Sequence, residues 1–389
     1  MKIVTVIGAR PQFIKAAPVS SILSPKYNEI IIHTGQHYDH DLSEVFFKEL
    51  GIPEPKYNLA AGSGSHGWQT AKMVAGIEAI LMMENPDIVL VYGDTNSTLA
   101  GALAASKLHI PIAHVEAGVR TYDMRMPEEV NRVVTDRLAS FLFCPTETAV
   151  NNLKLEGYSS ILGQGQPVEN METLPDIYTN YGFGIACNVG DVMYDAALMF
   201  AEIAFKESGI LGQLGLQEKN FVLATIHRPQ NTDRTQNLAQ IINGLVAISE
   251  ETTVVFPVHP RTRKALANIC DLNLLKKVPS FKLTRPVSYL DMIVLESSAA
   301  AIITDSGGVQ HEAAFYRVPC VTILERTPWI ETVNNNWNRL CPPDKNKIIE
   351  AYREAINSNP SWDGLCSCYG TGDAAKKIIG ILEKYRPSR

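Results

Sequence analysis

The chain has 389 residues, which at about 150 residues per domain predicts two domains or three. Lys+Arg of 35 against Asp+Glu of 41 leaves a formal net charge of −6, which argues against non-specific nucleic-acid binding, since that needs a basic face to displace phosphate counterions. Hydrophobic residues at 46% with 20% charged supply ample core and exclude disorder as a description of the whole chain.

The chain opens Met-Lys-Ile-Val-Thr-Val-Ile-Gly-Ala-Arg, too short an apolar run for a signal peptide. Strand-like segments follow at residues 3–7, 29–33, 87–92, 111–115 and 141–144, with helical patterns at 12–23, 42–50, 69–83, 98–107 and 128–140. Pro11 and Pro127 stand where a first helical residue would, a position that tolerates the missing N–H. Strands so continuously apolar are expected of a parallel sheet covered on both faces. Residues 159–183, rich in Gly, Pro, Asn and Tyr, show no period and read as an extended excursion. The series then restarts with strand-like segments at 185–189, 221–226, 253–258, 281–283, 301–304 and 320–324. Two successive β-α series predict an α/β protein of two Rossmann-like doubly wound domains. The expected division is 1–183, 184–368, and a final amphipathic helix near 374–385 within a tail, 369–389.

No apolar run approaches the roughly 20 residues of a membrane helix, so a cytoplasmic protein with no membrane partner is expected. Seven cysteines, an odd number spread along the chain, do not read as a disulfide framework. Cys366 and Cys368 form a close pair without a matching second one, which favours free thiols over a zinc site, and no metal is expected.

In open α/β sheets ligands bind beyond the carboxyl ends of the strands, so the residues ending each strand are the candidates. The first strand ends in Gly8-Ala9-Arg10-Pro11, with Lys15 a turn further on. Others end in Gly93-Asp94-Thr95-Asn96-Ser97 and His114-Val115-Glu116-Ala117-Gly118, and Glu128-Glu129 follow Pro127. In the second half the ends are His227-Arg228, His259-Pro260-Arg261 and Asp305-Ser306-Gly307-Gly308. Asp94, Glu116 and Glu128 facing Arg10 and Lys15 suit proton transfer beside an anionic leaving group. Singly, Asp94 could merely cap a helix and Glu128 merely complement a helix dipole. Ser306-Gly307-Gly308 opening a helix has the shape of a phosphate cradle, with Glu312 placed to accept from ribose hydroxyls; a tight strand-to-helix turn is the alternative. His227 enters a polar loop, whereas His259 beside Pro260 could serve only to shape its turn. Gly62-Ser63-Gly64-Ser65-His66-Gly67 matches the dinucleotide fingerprint literally, but no buried strand precedes it, so bound NAD is not indicated. The Walker lysine motif is absent as well.

These motifs, with Thr34-Gly35-Gln36-His37, Asn131-Arg132 and Thr304-Asp305-Ser306-Gly307-Gly308-Val309-Gln310, resemble those of the non-hydrolysing UDP-N-acetylglucosamine 2-epimerase family over nearly the whole chain. The resemblance implies the GT-B architecture, two Rossmann-like domains facing across a cleft, and a homodimer acting on a UDP-sugar without a cofactor. It also implies that Asp94, Glu116 and Glu128 are the acid/base carboxylates and that His227 lines the diphosphate region. Arg10 and Lys15 would contact the nucleotide sugar, and Ser306, Gly307, Gly308 and Glu312 would hold diphosphate and ribose. Departures stand at Gln12 (usually Glu), Trp329 (where an arginine is frequent), Met292 and His311. Gln12 and Trp329, with Arg125-Met126-Pro127, are similar to the branch acting on UDP-2,3-diacetamido-2,3-dideoxy-glucuronate, a precursor of surface polysaccharide. Tyr38, Asp39 and Trp68 differ from residues with which many bacterial members bind an activating second substrate.

Overall fold

A computed structural model describes residues 1–36, 47, 49–162, 184–269, 275, 277–358, 360 and 362–385. The chain divides into two compact units: Met1–Ala196 with Ser367–Arg389, and Ala197–Cys366. The helix expected near 42–50 and most of the excursion at 159–183 lie largely outside the described residues, as do His37, Tyr38 and Asp39.

In the first unit, strands β1 (Lys2–Ile7), β2 (Asn28–His33), β3 (Tyr57–Asn58), β4 (Ile88–Tyr92), β5 (Ile112–Val115), β6 (Phe141–Cys144), β7 (Ile161–Leu162) and β8 (Ile185–Asn188) form one sheet in the order 3-2-1-4-5-6-8-7. All its pairings are parallel; Val4, for example, lies opposite Ile30 in β2 and Val89 in β4. The helices between are α1 (Arg10–Leu23), α2 (His66–Glu84), α3 (Asn96–Lys107), α4 (Pro127–Leu138) and α5 (Glu147–Leu155), followed by α6 (Val192–Glu207), which leads into the second unit. β4, β5 and β6 are buried at every residue, as a sheet covered on both faces requires.

The second unit continues with α7 (Ile210–Leu214), β9 (Phe221–Thr225), α8 (Pro229–Thr232), α9 (Thr235–Ser249), β10 (Thr253–Pro257), α10 (Pro260–Leu266), β11 (Phe281–Thr284), α11 (Tyr289–Ser298), β12 (Ala301–Thr304), α12 (Gly307–Phe315), β13 (Cys320–Thr322), α13 (Ile330–Asn334), β14 (Asn338–Leu340) and α14 (Lys345–Ile356), and α15 (Trp362–Tyr369) carries the chain back to the first unit. Its six strands run in the order 11-10-9-12-13-14, all parallel, which is the doubly wound order of a dinucleotide-binding sheet. Val222, Phe256 and Ile303 from the sheet pack with Leu238, Leu245 and Ile348 from α9 and α14 in its core.

One boundary differs from expectation. The strand at 185–188 does not open the second series: β8 pairs with β6, Phe141 opposite Ile185 and Cys144 opposite Asn188, so it belongs to the first sheet. An apolar run announces a buried strand but not its neighbours, which long-range backbone pairing decides. The last helix, α16 (Ala374–Lys384), also belongs to the first unit and packs on α1, with Ile378, Ile379 and Leu382 buried. The Asp195 carboxylate accepts from the N–H groups of Ala374 and Ala375 (3.1 and 2.7 Å), which satisfies orphan donors at the start of α16.

Candidate active site

Each sheet reverses its strand order near its centre, between β1 and β4 in the first unit and between β9 and β12 in the second. At such a switch point the two connections leave in opposite directions and open a crevice at the carboxyl edge of the sheet. In the first unit, that edge carries Gly8–Arg10 after β1, Gly93–Asp94 after β4 and Glu116 after β5.

There α1 presents Lys15, whose Nζ lies 2.6 Å from Glu116 Oε2. From α4, Arg132 pairs with the Asp94 carboxylate and, at 2.9 Å, with Glu129. Asn131 donates to the Asp94 carbonyl oxygen at 2.9 Å. Glu129 also accepts from the Thr121 and Tyr122 N–H groups (3.0 and 2.8 Å) and from the Thr121 hydroxyl (2.8 Å). Asp94 is not the cap of α3; Thr95 is, and its hydroxyl faces the Thr98 N–H. Glu116 takes a left-handed backbone, φ +74°. That conformation is uncommon outside glycine and is held only where surroundings over-determine it.

The electrostatics follow from burial opposed by pairing. Burial acts to lower the Lys15 pKa, but the charges of Glu116 and then Asp94 outweigh it and hold the ammonium above its ordinary value. Burial likewise works against the Arg132 charge, and Asp94, Glu116 and Glu129 more than compensate. Glu129 is held below the usual carboxylate range although burial opposes it, because the Thr121 and Tyr122 donors and Arg132 favour the anion. Asp191, just past β8, behaves oppositely: burial first and Glu116 second push its carboxyl up to about 8, despite the Met193 N–H and Lys15.

Asp94, Glu116 and Lys15 therefore share one charged cluster. Glu128 does not join it in this conformation: it sits in the exposed first turn of α4 and makes no hydrogen bond or ion pair among the described residues, while adjacent Glu129 is buried. Arg10 opens α1, half-buried. Gln12 reaches back with Oε1 accepting from Gly8 and Ala9 N–H (2.8 and 3.1 Å) while Nε2 donates to the Tyr92 carbonyl and Thr98 hydroxyl (3.0 Å each). It thus ties the loop after β1 to the end of β4.

In the second unit Asp305, fully buried after β12, accepts from the N–H groups of His227 and Arg228 (2.9 and 3.0 Å) and from Asn231 Nδ2 (3.0 Å). Desolvation lowers the His227 pKa; Asp305 opposes that, while His259, Arg228 and Arg261 reinforce it. Ser306 caps α12. A Cβ added to Gly307 would sit 3.4 Å from an Arg228 guanidinium nitrogen, and one on Gly308 would sit 3.7 Å from Glu312 Oε2. A guanidinium and a carboxylate thus flank a helix N-terminus with bare backbone N–H groups, an anion-binding arrangement with a hydroxyl acceptor beside it. His259 shapes its turn, its Nδ1 accepting from the Arg261 N–H at 3.2 Å. Trp329 lies stacked on His311 with ring centroids 3.8 Å apart.

The profile of the UDP-N-acetylglucosamine 2-epimerase family matches residues 23–383. The chain belongs to that family. A UDP-N-acetylglucosamine 2-epimerase homolog of Methanococcus maripaludis is 50% identical over 383 residues, covering 98% of this chain and 99% of the relative. The UDP-2,3-diacetamido-2,3-dideoxy-D-glucuronate 2-epimerase of Pseudomonas aeruginosa is 45% identical, covering 99% of this chain and all of that protein. The crystal structure of the Methanocaldococcus jannaschii UDP-GlcNAc 2-epimerase in complex with UDP-GlcNAc and UDP superposes with a TM-score of 0.85 at 39% identity, covering 99% of this chain and 100% of that one. The two Rossmann-like units and the 2-epimerase class therefore agree with what the motifs imply.

Among the described residues no cluster of His, Cys, Asp and Glu could hold a metal ion. The side chain of Cys366 lies outside the described residues. No described helix is long and apolar enough to cross a membrane. Sequence reasoning named Glu129 and Arg132 without giving either a role, and it passed over Asp191 because β8 was assigned to the other sheet. Had β8 been placed beside β6, its carboxyl end would have joined the same edge as Asp94 and Glu116. Arg228 had a signal, following His227 directly at a strand end.

Proposed function

We propose that this 2-epimerase inverts C2 of a UDP-HexNAc and retains its intermediate, so that no free sugar is released. The hydrogen on C2 is not beside a carbonyl, and direct deprotonation is too costly. Removal of that hydrogen with breakage of the C1–O bond expels UDP and leaves a 2-acetamidoglucal. Re-addition of UDP at C1, with a proton delivered to C2 from the opposite face, completes the inversion. This scheme needs a base, an acid and cations for the departing diphosphate. Asp94, Glu116 and Glu128 take the acid/base roles, with Arg10 and Lys15 contacting the nucleotide sugar. Ser306, Gly307, Gly308, Arg228 and His227 hold the diphosphate, and Glu312 accepts from ribose.

The observation that supports this reading best is the buried Lys15–Glu116 pair beside the Arg132–Asp94 pair. A carboxylate can take or give a proton at a substrate carbon, and the cation beside it can then pair with the negative charge of the departing diphosphate. The test is C2 hydrogen exchange in D2O, read by proton NMR of the UDP-sugar. Asp94→Asn, Glu116→Gln and Glu128→Gln are each expected to abolish exchange in a folded protein, and full exchange in all three would refute the assignment. Phosphorus NMR separates the hydrolytic alternative, in which free UDP accumulates.

The sugar is UDP-GlcNAc or its 2,3-diacetamido-glucuronate counterpart. The second is favoured by the relative from Pseudomonas aeruginosa, at 45% identity, and by Trp329 and Gln12. Turnover of the two substrates in parallel decides between them. The working assembly is a homodimer in the cytoplasm, for which sedimentation at micromolar concentration is the measurement.

A further inference from the structure

His114 has no role in the scheme above, yet its ring is completely buried one residue before the end of β5. Its Nδ1 lies 2.6 Å from Asp136 Oδ1 on α4, and its Nε2 lies 2.7 Å from the Gly93 carbonyl oxygen. A carbonyl oxygen can only accept, so Nε2 carries hydrogen. Asp136 pairs with the Arg120 guanidinium, which favours its anionic form. Its other oxygen already takes Arg120 at 2.7 Å and the Gly118 N–H at 3.0 Å. Nδ1 therefore also faces an acceptor and also carries hydrogen.

Resting on the function proposed above, we infer that His114 is a positioning residue for the two carboxylates: a buried, doubly protonated imidazolium that locks Gly93 and the Glu116 turn onto Asp136. The geometry explains the strain noted at Glu116. Asp136 grips the chain two residues before Glu116, through the His114 ring, and two residues after it, through the Gly118 N–H. Phe143 holds the middle, its carbonyl accepting from Glu116 and Ala117 (3.0 and 3.1 Å). On the other side Gly93, which precedes Asp94, donates to the Val115 carbonyl at 2.9 Å while its own carbonyl takes the imidazolium. One ring thus joins the turn carrying Glu116 to the residue before Asp94. The charges packed around it balance: Arg120 reaches Asp136 from the following loop, and Glu156, just past α5, binds Arg120 at 2.6 Å. The surrounding cost of burying an imidazolium is offset because each charge has a hydrogen-bonded partner of opposite sign. A neutral ring keeping its hydrogen on Nε2 would set the Nδ1 lone pair against the Asp136 carboxylate.

Nitrogen NMR of the full chain labelled with 15N-histidine, at pH 7.5, tests the inference without relying on catalysis. It should contain one imidazolium whose two ring N–H protons exchange slowly with solvent and whose signals vanish in His114→Gln. Absence of such a ring in the parent protein overturns the inference, whether or not the variant folds. In C2 exchange with D2O, His114→Gln should lower kcat by about tenfold to a hundredfold with KM within threefold, since an ångström of misplacement costs on the order of a hundredfold. A kcat within twofold of the parent would equally overturn it. Absence of C2 exchange in the parent itself would instead count against the proposed reaction, leaving the NMR result to judge His114.

Discussion

Asp191 offers a stability test whose size can be worked out. It is 1% exposed and its carboxyl titrates near 8, where an ordinary aspartate titrates at 3.8. Between those values the folded chain keeps a proton that the unfolded chain releases. The folded pKa is raised, so the stabilising contribution is complete below about pH 4 and is lost as pH rises to about 8. Each pH unit in that window removes about 1.4 kcal/mol, or about 3 kcal/mol between pH 5.5 and 7.5. Asp191→Asn retains an acceptor for the Met193 N–H, which Asp191 now binds at 2.7 Å, and asparagine serves as well at a helix start. It cannot ionise. The stability difference, variant minus parent, should therefore grow by about 3 kcal/mol across that range and level off above about pH 8. Native-state hydrogen exchange of β6 and β8, corrected for the intrinsic pH dependence of amide exchange, reads the first unit alone. A difference that stays constant from pH 5.5 to 7.5 would show that Asp191 ionises normally and would refute the reasoning. Glu116→Gln removes the like charge and should move the same window to lower pH.

Two other outcomes follow from close packing. Gln12→Glu sets a carboxylate oxygen against the Tyr92 carbonyl where an amide now donates, and should cost about 1–3 kcal/mol at pH 7, seen as a lower urea midpoint that recovers in part as pH falls. Gly118→Ala would place a methyl carbon 2.4 Å from the Ala149 carbonyl oxygen at φ +76°. A loss of at least about 2 kcal/mol is expected, read as a fall in Tm of several degrees; an unchanged Tm would mean that the turn around Glu116 is free to shift.

The sequence by itself determined the doubly wound class, because continuous apolar strands alternating with helices admit few topologies. It also grouped the candidate residues, because a parallel sheet delivers every strand's carboxyl end to one edge. Asp94, Glu116 and Lys15 could be named from that rule before any fold was known. What only tertiary structure decided was partnership. Nothing local in residues 185–188 says that they pair with β6, so Asp191 stayed hidden until β8 was seated. Neighbouring Glu128 and Glu129 look alike in sequence, and only the turn of α4 against Thr121 and Arg132 separates an exposed carboxylate from a buried one. The pairing of His114 is likewise a tertiary property, since it depends on oxygens 21 and 22 residues away meeting the two nitrogens of one ring. Periodicity fixes which way a side chain points along its own element; protonation and pairing depend on what arrives from the others.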